Sequence, residues 1–365
     1  MGITEKITEL EQEYAKTQKN KATEHHLGLL KAKLAMLKRE VVSGKGKAGK
    51  PSGGFDVKKT GNATVVFIGL PSVGKSSLLN ILTGNRAKTA HYAFTTLTCI
   101  PGMMEYRGSR IQILDLPGII AGAKEGRGRG REVLAVARNA DLVLLTLDVF
   151  DPLYRSRLVE ELEGIGIRLD QESPHVVVTP LQKGGQNIAF TVKQTKGLTE
   201  KLVAAILNEY SIHNANVIIR ENITVDQFID VLVGNRKYMP SVTIINKIDL
   251  VKPEFLKSLP FEFVPVSAEK NLGIKELKEA IYNSLQLIQV YTKRVNEKAD
   301  MKEPLMVRKG STIGEACEKI HKDLKENFDF AQIWGPSAKF PGQKGGLDHV
   351  LKDGDVFCIH KKSFI

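Results

Sequence analysis

The sequence predicts an α/β protein with a mostly parallel, doubly wound β-sheet in its central domain, a unit inserted in that domain and further units at both ends. Three observations support this architecture. From about residue 62, apolar strand-like segments alternate with helical ones, as in parallel sheets. About ninety residues (149 to 240) separate two consecutive core strands, more than a crossover helix requires. Both chain ends follow other patterns, which indicates further units there. The core strands are predicted in ATVVFIGL, RIQILDL, ADLVLLTLDV, SVTIINKIDL and EFVPVSA.

Residues 1–61 are predicted to form a helical hairpin followed by a basic linker. Apolar residues recur at steps of three and four from Ile3 to Tyr14 and again from Leu27 to Val41, which is the spacing of two amphipathic helices. The segment SGKGKAGKPSGG that follows is rich in glycine and lysine, a composition typical of flexible linkers.

The central domain is predicted at 62–292, with a small α+β subdomain inserted at about 168–228. Within the insertion, HVVVTPLQKGGQNIAFTV predicts a β-hairpin that turns at Gly184 and Gly185, and a helix follows from Leu198 to Tyr210. Residues 293–365 predict a mostly β-stranded unit with one principal helix in TIGEACEKIHKDL.

The chain is basic, and its three cysteines are far apart. Lys and Arg number 53 against 41 for Asp and Glu, so the net charge is +12, which favours polyanionic partners such as RNA. A basic protein without a nucleic-acid partner remains an alternative. Cys99, Cys317 and Cys358 lack any C-x-x-C spacing and indicate no zinc site. They and the absence of a signal-like or membrane-spanning segment predict a cytoplasmic protein with no membrane partner.

A phosphate-binding loop is predicted in GLPSVGKS, which lies between an apolar strand and an apolar helix. This context argues against an ordinary glycine-rich turn. Backbone N–H groups of such a loop surround phosphates, while Lys75 reaches the β- and γ-phosphates and Ser76 binds Mg²⁺. The predicted phosphate-binding residues are Gly69, Ser72, Val73, Gly74, Lys75, Ser76 and Ser77.

Two further segments have the character of nucleotide-sensing switches. Asp115 ends a predicted strand and opens DLPG, where the acid can hold Mg²⁺ and the N–H of Gly118 can contact the γ-phosphate. YAFTTLT offers Thr95 and Thr96 as groups that close over the metal. Ile119 occupies the place where GTPases of the Ras type have the glutamine that orients the attacking water.

A guanine-binding motif is predicted in NKID, after the strand SVTII. The carboxylate of Asp249 can accept hydrogen bonds from the N1–H and N2–H₂ groups of guanine, which adenine lacks. Asn246 and the stem of Lys247 can flank the base. Ser267 and Ala268 of SAE are placed for a backbone N–H to meet the guanine O6.

These segments resemble one family of nucleotide-binding proteins. GLPSVGKSS, YAFTTL, DLPGII, GAKEGRGRGRE and NKID are similar to the Obg-related GTPases. KTQKNKATEHHLGLLKAKLA and SAKFPGQKGGLDHVLKDGDV narrow the resemblance to the developmentally regulated GTP-binding proteins of eukaryotes and archaea. The resemblance implies a helical hairpin, a GTPase (G) domain with an inserted subdomain like that of ribosomal protein S5, and a C-terminal TGS domain of β-grasp shape.

The resemblance also implies slow GTPases linked to ribosomes and translation, some of which bind a small stabilising protein. It assigns the magnesium-binding threonine to Thr96 rather than Thr95, and it makes a hydrophobic Ile119 expected. Some related GTPases hold K⁺ through an asparagine at the fourth loop position. This chain has Ser72 there, which is a poorer ligand. Potassium binding is therefore favoured by the resemblance to these GTPases and not by this residue.

We therefore expect a monomeric GTPase that converts GTP to GDP and phosphate. Lys75, Thr96 and Gly118 are the expected catalytic groups, and Ser76, Thr96 and Asp115 the Mg²⁺ ligands. The alternative is an RNA-binding or scaffold protein with GTP as a structural ligand; an ATP-using P-loop protein is disfavoured by NKID. Three residues of the second switch, Arg127, Arg129 and Arg131, have two possible roles. They supply an internal arginine finger, or they belong to a basic segment that contacts RNA or a partner.

Overall fold

The computed structural model describes residues 3–18, 20, 23–43, 60–84, 100–116, 137–164, 166–234, 236–295, 297 and 299–362. The described residues belong to two compact units. The first is drawn from Met1–Gly54 and Val159–Met239, and the second from Phe55–Ile120, Ala135–Leu158 and Pro240–Ile365. Every helix in the described part of the chain is too short or too polar to cross a bilayer.

The helices of the described residues have the following bounds. They are α1 Ile3–Lys16, α2 Glu24–Ser43, α3 Lys75–Leu82, α4 Arg155–Gly164, α5 Glu200–Glu209, α6 Val225–Val233, α7 Pro253–Lys257, α8 Ile274–Ser284, α9 Ile313–Ile320 and α10 Lys322–Glu326. Short 3₁₀ turns lie at Pro152–Tyr154 and Ile248–Leu250.

The strands are distributed over four sheets. They are β1 Ala63–Ile68, β2 Ile100–Tyr106, β3 Ser109–Asp115, β4 Leu142–Asp148, β5 Ile167–Leu169, β6 Val176–Pro180, β7 Gln186–Phe190, β8 Ala215–Ile219, β9 Lys237–Met239, β10 Ser241–Asn246, β11 Val264–Pro265, β12 Leu287–Thr292, β13 Leu305–Arg308, β14 Phe328–Trp334, β15 Gln343–Gly345 and β16 Val356–Lys361.

The central sheet of the second unit confirms the predicted α/β fold class. Its order is β11-β10-β4-β1-β3-β2, and every neighbouring pair is parallel except β2 with β3. All six residues of β1 are buried, as expected for a strand covered on both faces. The carboxyl ends of β1, β3, β4 and β10 meet at one edge, because Phe67 is in register with Asp115, and Asn246 with Asp148. This edge positions the candidate site.

The C-terminal sheet also belongs to the second unit and has the order β13-β12-β16-β14-β15. Helix α9, which begins with a capping box between Thr312 and Glu315, contributes Ile313 and Cys317 to the core against one sheet face. Strand β12 begins at Leu287 directly after α8, so the sheet starts before the predicted boundary at residue 293. The strand was missed because it follows the helix with almost no intervening turn.

Strands β12 and β13 attach the C-terminal sheet to the core of the central-sheet domain, which we call the G-domain core. Leu287 and Met306 are buried in the cluster that also contains Leu78 of α3. The amide of Gln289 donates to the carbonyl of Arg107 in the β2–β3 turn over 2.7 Å. Arg308 pairs with Asp141 before β4. Apolar burial and directed polar contacts therefore both hold this end of the sheet.

The first unit combines the helical hairpin with an α+β segment. Helix α2 contributes Ala32 to a core with Leu202 of α5 and Phe228 of α6. The sheet of this segment has the order β6-β8-β7, in which β8 is antiparallel to β6 and parallel to β7.

The predicted hairpin between β6 and β7 is wrong, because β8 lies between these strands. Strand β8 takes the central place since Ala215, Val217 and Ile219 alternate along it and are fully buried. The turn with Gly184 and Gly185 instead closes over the start of β8, where the N–H of Gly185 donates to Asn214 over 2.8 Å. A local glycine signal could not reveal a strand that is inserted from thirty residues farther along the chain.

A buried ion-pair cluster joins α6 to the β5–β9 pair of the first unit. Asp230, whose side chain is 3% exposed, accepts two hydrogen bonds from Arg168, over 2.7 and 2.8 Å, and one from Nε of Arg236 over 2.7 Å. Removal of this carboxylate would leave two cations together in a poorly solvated place.

We expect Asp230→Ala to lower the free energy of unfolding by about 3–5 kcal/mol, because the two arginines lose their common partner. The measurement is urea unfolding of the full chain followed by circular dichroism. Asp226→Ala is the matched control: it lies one turn away on α6 and pairs with Lys31, but its side chain is 56% exposed, so the loss is about 1 kcal/mol or less. Equal losses in both variants would contradict a special role for Asp230.

Candidate nucleotide-binding site

The phosphate-binding loop connects β1 to α3, as the sequence predicts, and its glycines are required by close contacts. A Cβ on Gly69 would lie 2.1 Å from the carbonyl oxygen of Thr146. Gly74 has φ +95°, and a Cβ there would lie 2.2 Å from Nδ2 of Asn246. Helix α3 begins at Lys75 immediately after this turn, so its N-terminal N–H groups and partial positive charge belong to the loop.

Lys75 is held inside this loop by the loop's own backbone. Its side chain is buried and its ammonium group donates to the carbonyls of Gly69, over 3.0 Å, and Leu70, over 2.8 Å. Burial lowers the pKa of Lys75, and the nearby carboxylate of Asp115 acts in the opposite direction. An anion bound in the loop would therefore stabilise the charged form of this lysine.

Ser76 and Asp115 form a pair of oxygen ligands beside the loop. The hydroxyl of Ser76 donates to Oδ2 of Asp115 over 2.5 Å. The other carboxylate oxygen, Oδ1, is buried and has no hydrogen-bond partner among the described residues. A carboxylate oxygen without a partner next to a hydroxyl suits a hard cation such as Mg²⁺, which takes oxygen ligands from protein, phosphates and water in octahedral geometry. The residues present thus fit the metal that the sequence predicts.

Asn246 connects the three segments of the site. It is 2% exposed at the end of β10, and its Nδ2 donates to the carbonyl of Val73 over 2.8 Å. Its Oδ1 accepts from the N–H of Ala268 over 3.0 Å. Both polar groups of this amide are engaged within the protein, so Asn246 positions the loop and the SAE segment relative to each other. Ser267 is fully buried, and its hydroxyl accepts from the N–H of Lys270, which shapes the same segment.

The sequence interpretation did not assign a role to Asp148, which the structure places at the guanine motif. Lys247 has φ +64°, and its ammonium group pairs with Oδ2 of Asp148 over 3.0 Å. The other oxygen of Asp148 accepts from the N–H of Phe150, and the ring of Phe150 lies 5.7 Å from the Lys247 ammonium group. The sequence signal for this pair was that Asp148 ends β4 as Asn246 ends β10, and these two parallel strands are neighbours with the two residues in register.

A cleft of about 440 Å³ lies between the phosphate-binding loop, NKID and SAE. Asp249 is on its wall and exposed, so its carboxylate is accessible to a ligand. The lining residues are Ser72, Gly74, Ser77, Asn246, Lys247, Asp249, Leu250, Ser267, Ala268 and Glu269. The segments predicted separately for phosphate and guanine therefore border one cavity.

Several predicted residues lie outside the described part of the chain. Their assignments remain predictions. They are Thr95, Thr96, Gly118, Ile119, Arg127, Arg129 and Arg131. Ser72, the residue related to potassium binding, is described: it is exposed and has φ +64°.

Comparison with known proteins gives matches along the chain. Residues 64–180 match the family model described as "50S ribosome-binding GTPase", 183–287 match the C-terminal region of that domain, and 288–361 match the TGS domain. A GTP-binding protein of Methanocaldococcus jannaschii is 50% identical over 98% of this chain and 93% of its own length.

Two eukaryotic relatives have the family name suggested by the motifs. Developmentally-regulated GTP-binding protein 2 of Mus musculus is 47% identical and covers 99% of this chain and 100% of the relative. The developmentally-regulated GTP-binding protein 1 homologue of Dictyostelium discoideum is 48% identical with the same coverage. Because such identity extends over nearly the whole of both sequences, the resemblance is confirmed: the chain belongs to the family of developmentally regulated GTP-binding proteins.

Proposed function

We propose that this protein binds GTP and hydrolyses it to GDP and phosphate with Mg²⁺. The observation that carries this proposal is the convergence of Lys75, the Ser76–Asp115 pair and the NKID segment around one edge of the central sheet. The geometry supports a triphosphate in the loop and a base in the adjoining cleft. The family models support the same reaction class.

In the proposed reaction, water attacks the γ-phosphate. Lys75 leaves its loop carbonyls for the β- and γ-phosphate oxygens and stabilises the charge of the transition state. Ser76, Thr96 and Asp115 would hold Mg²⁺, which supplies charge neutralisation between the phosphates. The N–H of Gly118 contacts the γ-phosphate. Since Ile119 cannot orient water, intrinsic turnover is slow, on the order of 10⁻³ s⁻¹ or below.

Guanine selectivity is proposed to depend on Asp249, with Lys247 held against the base by Asp148. The SAE backbone is proposed to meet the guanine O6. The N–H of Ala268 donates to Asn246, so the base oxygen would share this donor or use the next N–H of the segment. An adenine base offers no donor pair to Asp249, and its burial against that carboxylate is unfavourable.

We expect Asp249→Asn to weaken GTP binding at least about tenfold and to improve XTP binding, because the new amide can donate to the C2 oxygen of xanthine. The measurement is competition of GTP and XTP against a fluorescent guanine nucleotide. Glu254→Gln on α7 removes the same charge from an exposed neighbour and is expected to leave both affinities unchanged. An unchanged GTP/XTP preference in Asp249→Asn would exclude this residue from base recognition.

We expect Ser76→Ala to reduce the dependence of GTP binding on Mg²⁺ and to slow hydrolysis at least about tenfold, because the metal loses one ligand. GTP affinity and single-turnover hydrolysis are measured in Mg²⁺ and in EDTA. Ser258→Ala, which removes an exposed hydroxyl elsewhere, is the control. If wild-type and Ser76→Ala proteins respond equally to EDTA, the assignment of Ser76 as a metal ligand is wrong.

The cellular role that we propose is a cytoplasmic, monomeric switch that acts on ribosomes during translation, with a small stabilising protein as a further partner. Support comes from the net charge of +12 and from the matching family model, whose description names 50S ribosome binding. A basic surface lowers the free energy of association with ribosomal RNA through counterion release.

The decisive experiment measures multiple-turnover GTP hydrolysis with and without purified ribosomes, in Na⁺ and in K⁺. We expect ribosomes to accelerate hydrolysis at least about tenfold, because an RNA or protein partner can order the switch that lacks a glutamine. Ribosome binding without stimulated hydrolysis would favour the scaffold alternative.

The same assay tests two further groups. A rate difference between the two salts would support a K⁺ site near Ser72. Single-turnover hydrolysis by Arg127→Ala, Arg129→Ala and Arg131→Ala tests the arginine finger, and unchanged rates would exclude it.

A further inference from the structure

One face of the C-terminal sheet packs on the core that contains Ile313 and Cys317 of α9. The opposite face, which we call the second face, has two halves. Residues of β12 and β13 that alternate with the core positions, such as Leu287 and Met306, are buried in the G-domain core. The same alternation assigns the other strands' non-core residues to this face, in register from β12 through β16 and β14 to β15. The second half consists of Tyr291, Lys293, Val356, Cys358, His360, Phe330, Gln332, Trp334 and Lys344. These nine residues are uncharged or basic, and the exposed Asp329 lies beside them at the bulge between Phe328 and Phe330 of β14.

This second half, which we call the aromatic–lysine face, presents paired rings and ammonium groups. The rings of Phe330 and His360 are stacked, with centroids 4.3 Å apart and planes 9° apart. Lys344 lies 4.3 Å from the Phe330 centroid, and Lys293 lies 3.8 Å from the Trp334 centroid. All three rings are partly exposed. Half-exposed aromatic rings with ammonium groups beside them offer flat stacking surfaces and positive charge at the same place.

We propose that the aromatic–lysine face binds single-stranded RNA. Bases stack on Trp334 and on the Phe330–His360 pair, while Lys293 and Lys344 contact phosphates. A base that stacks on a ring replaces the ammonium group there, and the flexible lysine stem lets that group follow the backbone. This proposal deepens the RNA-linked part of the proposed function and rests on it, but it does not depend on GTP hydrolysis.

An acidic peptide fits this face less well than RNA. Carboxylates would engage the two lysines but would leave the flat rings without a matching group. A nucleic-acid strand carries planar bases and phosphates together, so it complements both features at once. A regular RNA duplex keeps its bases stacked inside and offers no free base for the rings.

The chain contains a built-in probe, because Trp334 is its only tryptophan. The full-length protein is titrated with a fluorescein-labelled 12-nucleotide single-stranded RNA of mixed sequence, and anisotropy and tryptophan emission are recorded together. We expect the RNA to quench Trp334 over the same concentration range in which anisotropy rises. The same RNA as a duplex, and poly-glutamate, are expected to leave the emission unchanged.

Variants separate stacking from charge. Trp334→Leu is expected to weaken binding about tenfold, whereas Trp334→Phe retains a ring and most of the affinity. The double variant Lys293→Ala/Lys344→Ala is expected to reduce the slope of log affinity against log salt by about 1.4, for two phosphates. Lys257→Ala/Lys309→Ala, which removes two exposed lysines elsewhere, is the matched control. GTP binding of each variant verifies its fold.

Three outcomes would overturn the proposal. If RNA binds without quenching Trp334 and the face variants bind normally, the contact lies elsewhere and only the face is excluded. If the protein binds no RNA, the RNA-linked part of the proposed function fails too, while the GTP hydrolysis assays stand independently. If poly-glutamate quenches Trp334 and displaces RNA, the face binds acidic protein segments instead.

Discussion

The side-chain amide of Asn246 is the contact on which the nucleotide site depends. It joins the phosphate-binding loop, through Val73, to the SAE segment, through Ala268, from a buried position at the end of β10. Position 74 requires glycine because the amide of Asn246 occupies the space that a Cβ would need. A single side chain thus holds together the segments proposed to bind phosphate and base, and an unpaired amide at this buried position would be costly.

The parallel sheet makes that contact possible. Its four inner strands end at one edge, so the loop after β1, the acid that ends β3 and the amide that ends β10 come together although they are distant in sequence. The motifs could be predicted from sequence because each one is local and follows a strongly apolar strand. The pair of Lys247 with Asp148 could not, since it depends on the register between β4 and β10.

The same distinction between local and long-range information explains the errors elsewhere. The sequence predicts the segments β6 and β7 as two strands on either side of a glycine turn, but their predicted pairing is wrong because β8 takes the central place with a more buried row of side chains. Likewise β12 was overlooked because it continues directly from α8, and its partners β13 and β16 come later in the chain. Strand identity is a local property, whereas strand order is decided by which segment buries the most apolar surface.

Strand β3 connects the two ends of the second unit. It begins next to the Arg107 turn, whose carbonyl is bound by Gln289 of the C-terminal sheet, and it ends at Asp115 beside Ser76. Arg107 also pairs with Glu279 of α8, and its guanidinium group lies 5.5 Å from the ring of Tyr282. The C-terminal sheet is therefore joined to the proposed metal site by one continuous strand. A partner on the aromatic–lysine face and a nucleotide at Asp115 would thus lie at opposite ends of one packed unit, which is connected through the Gln289–Arg107 hydrogen bond and β3.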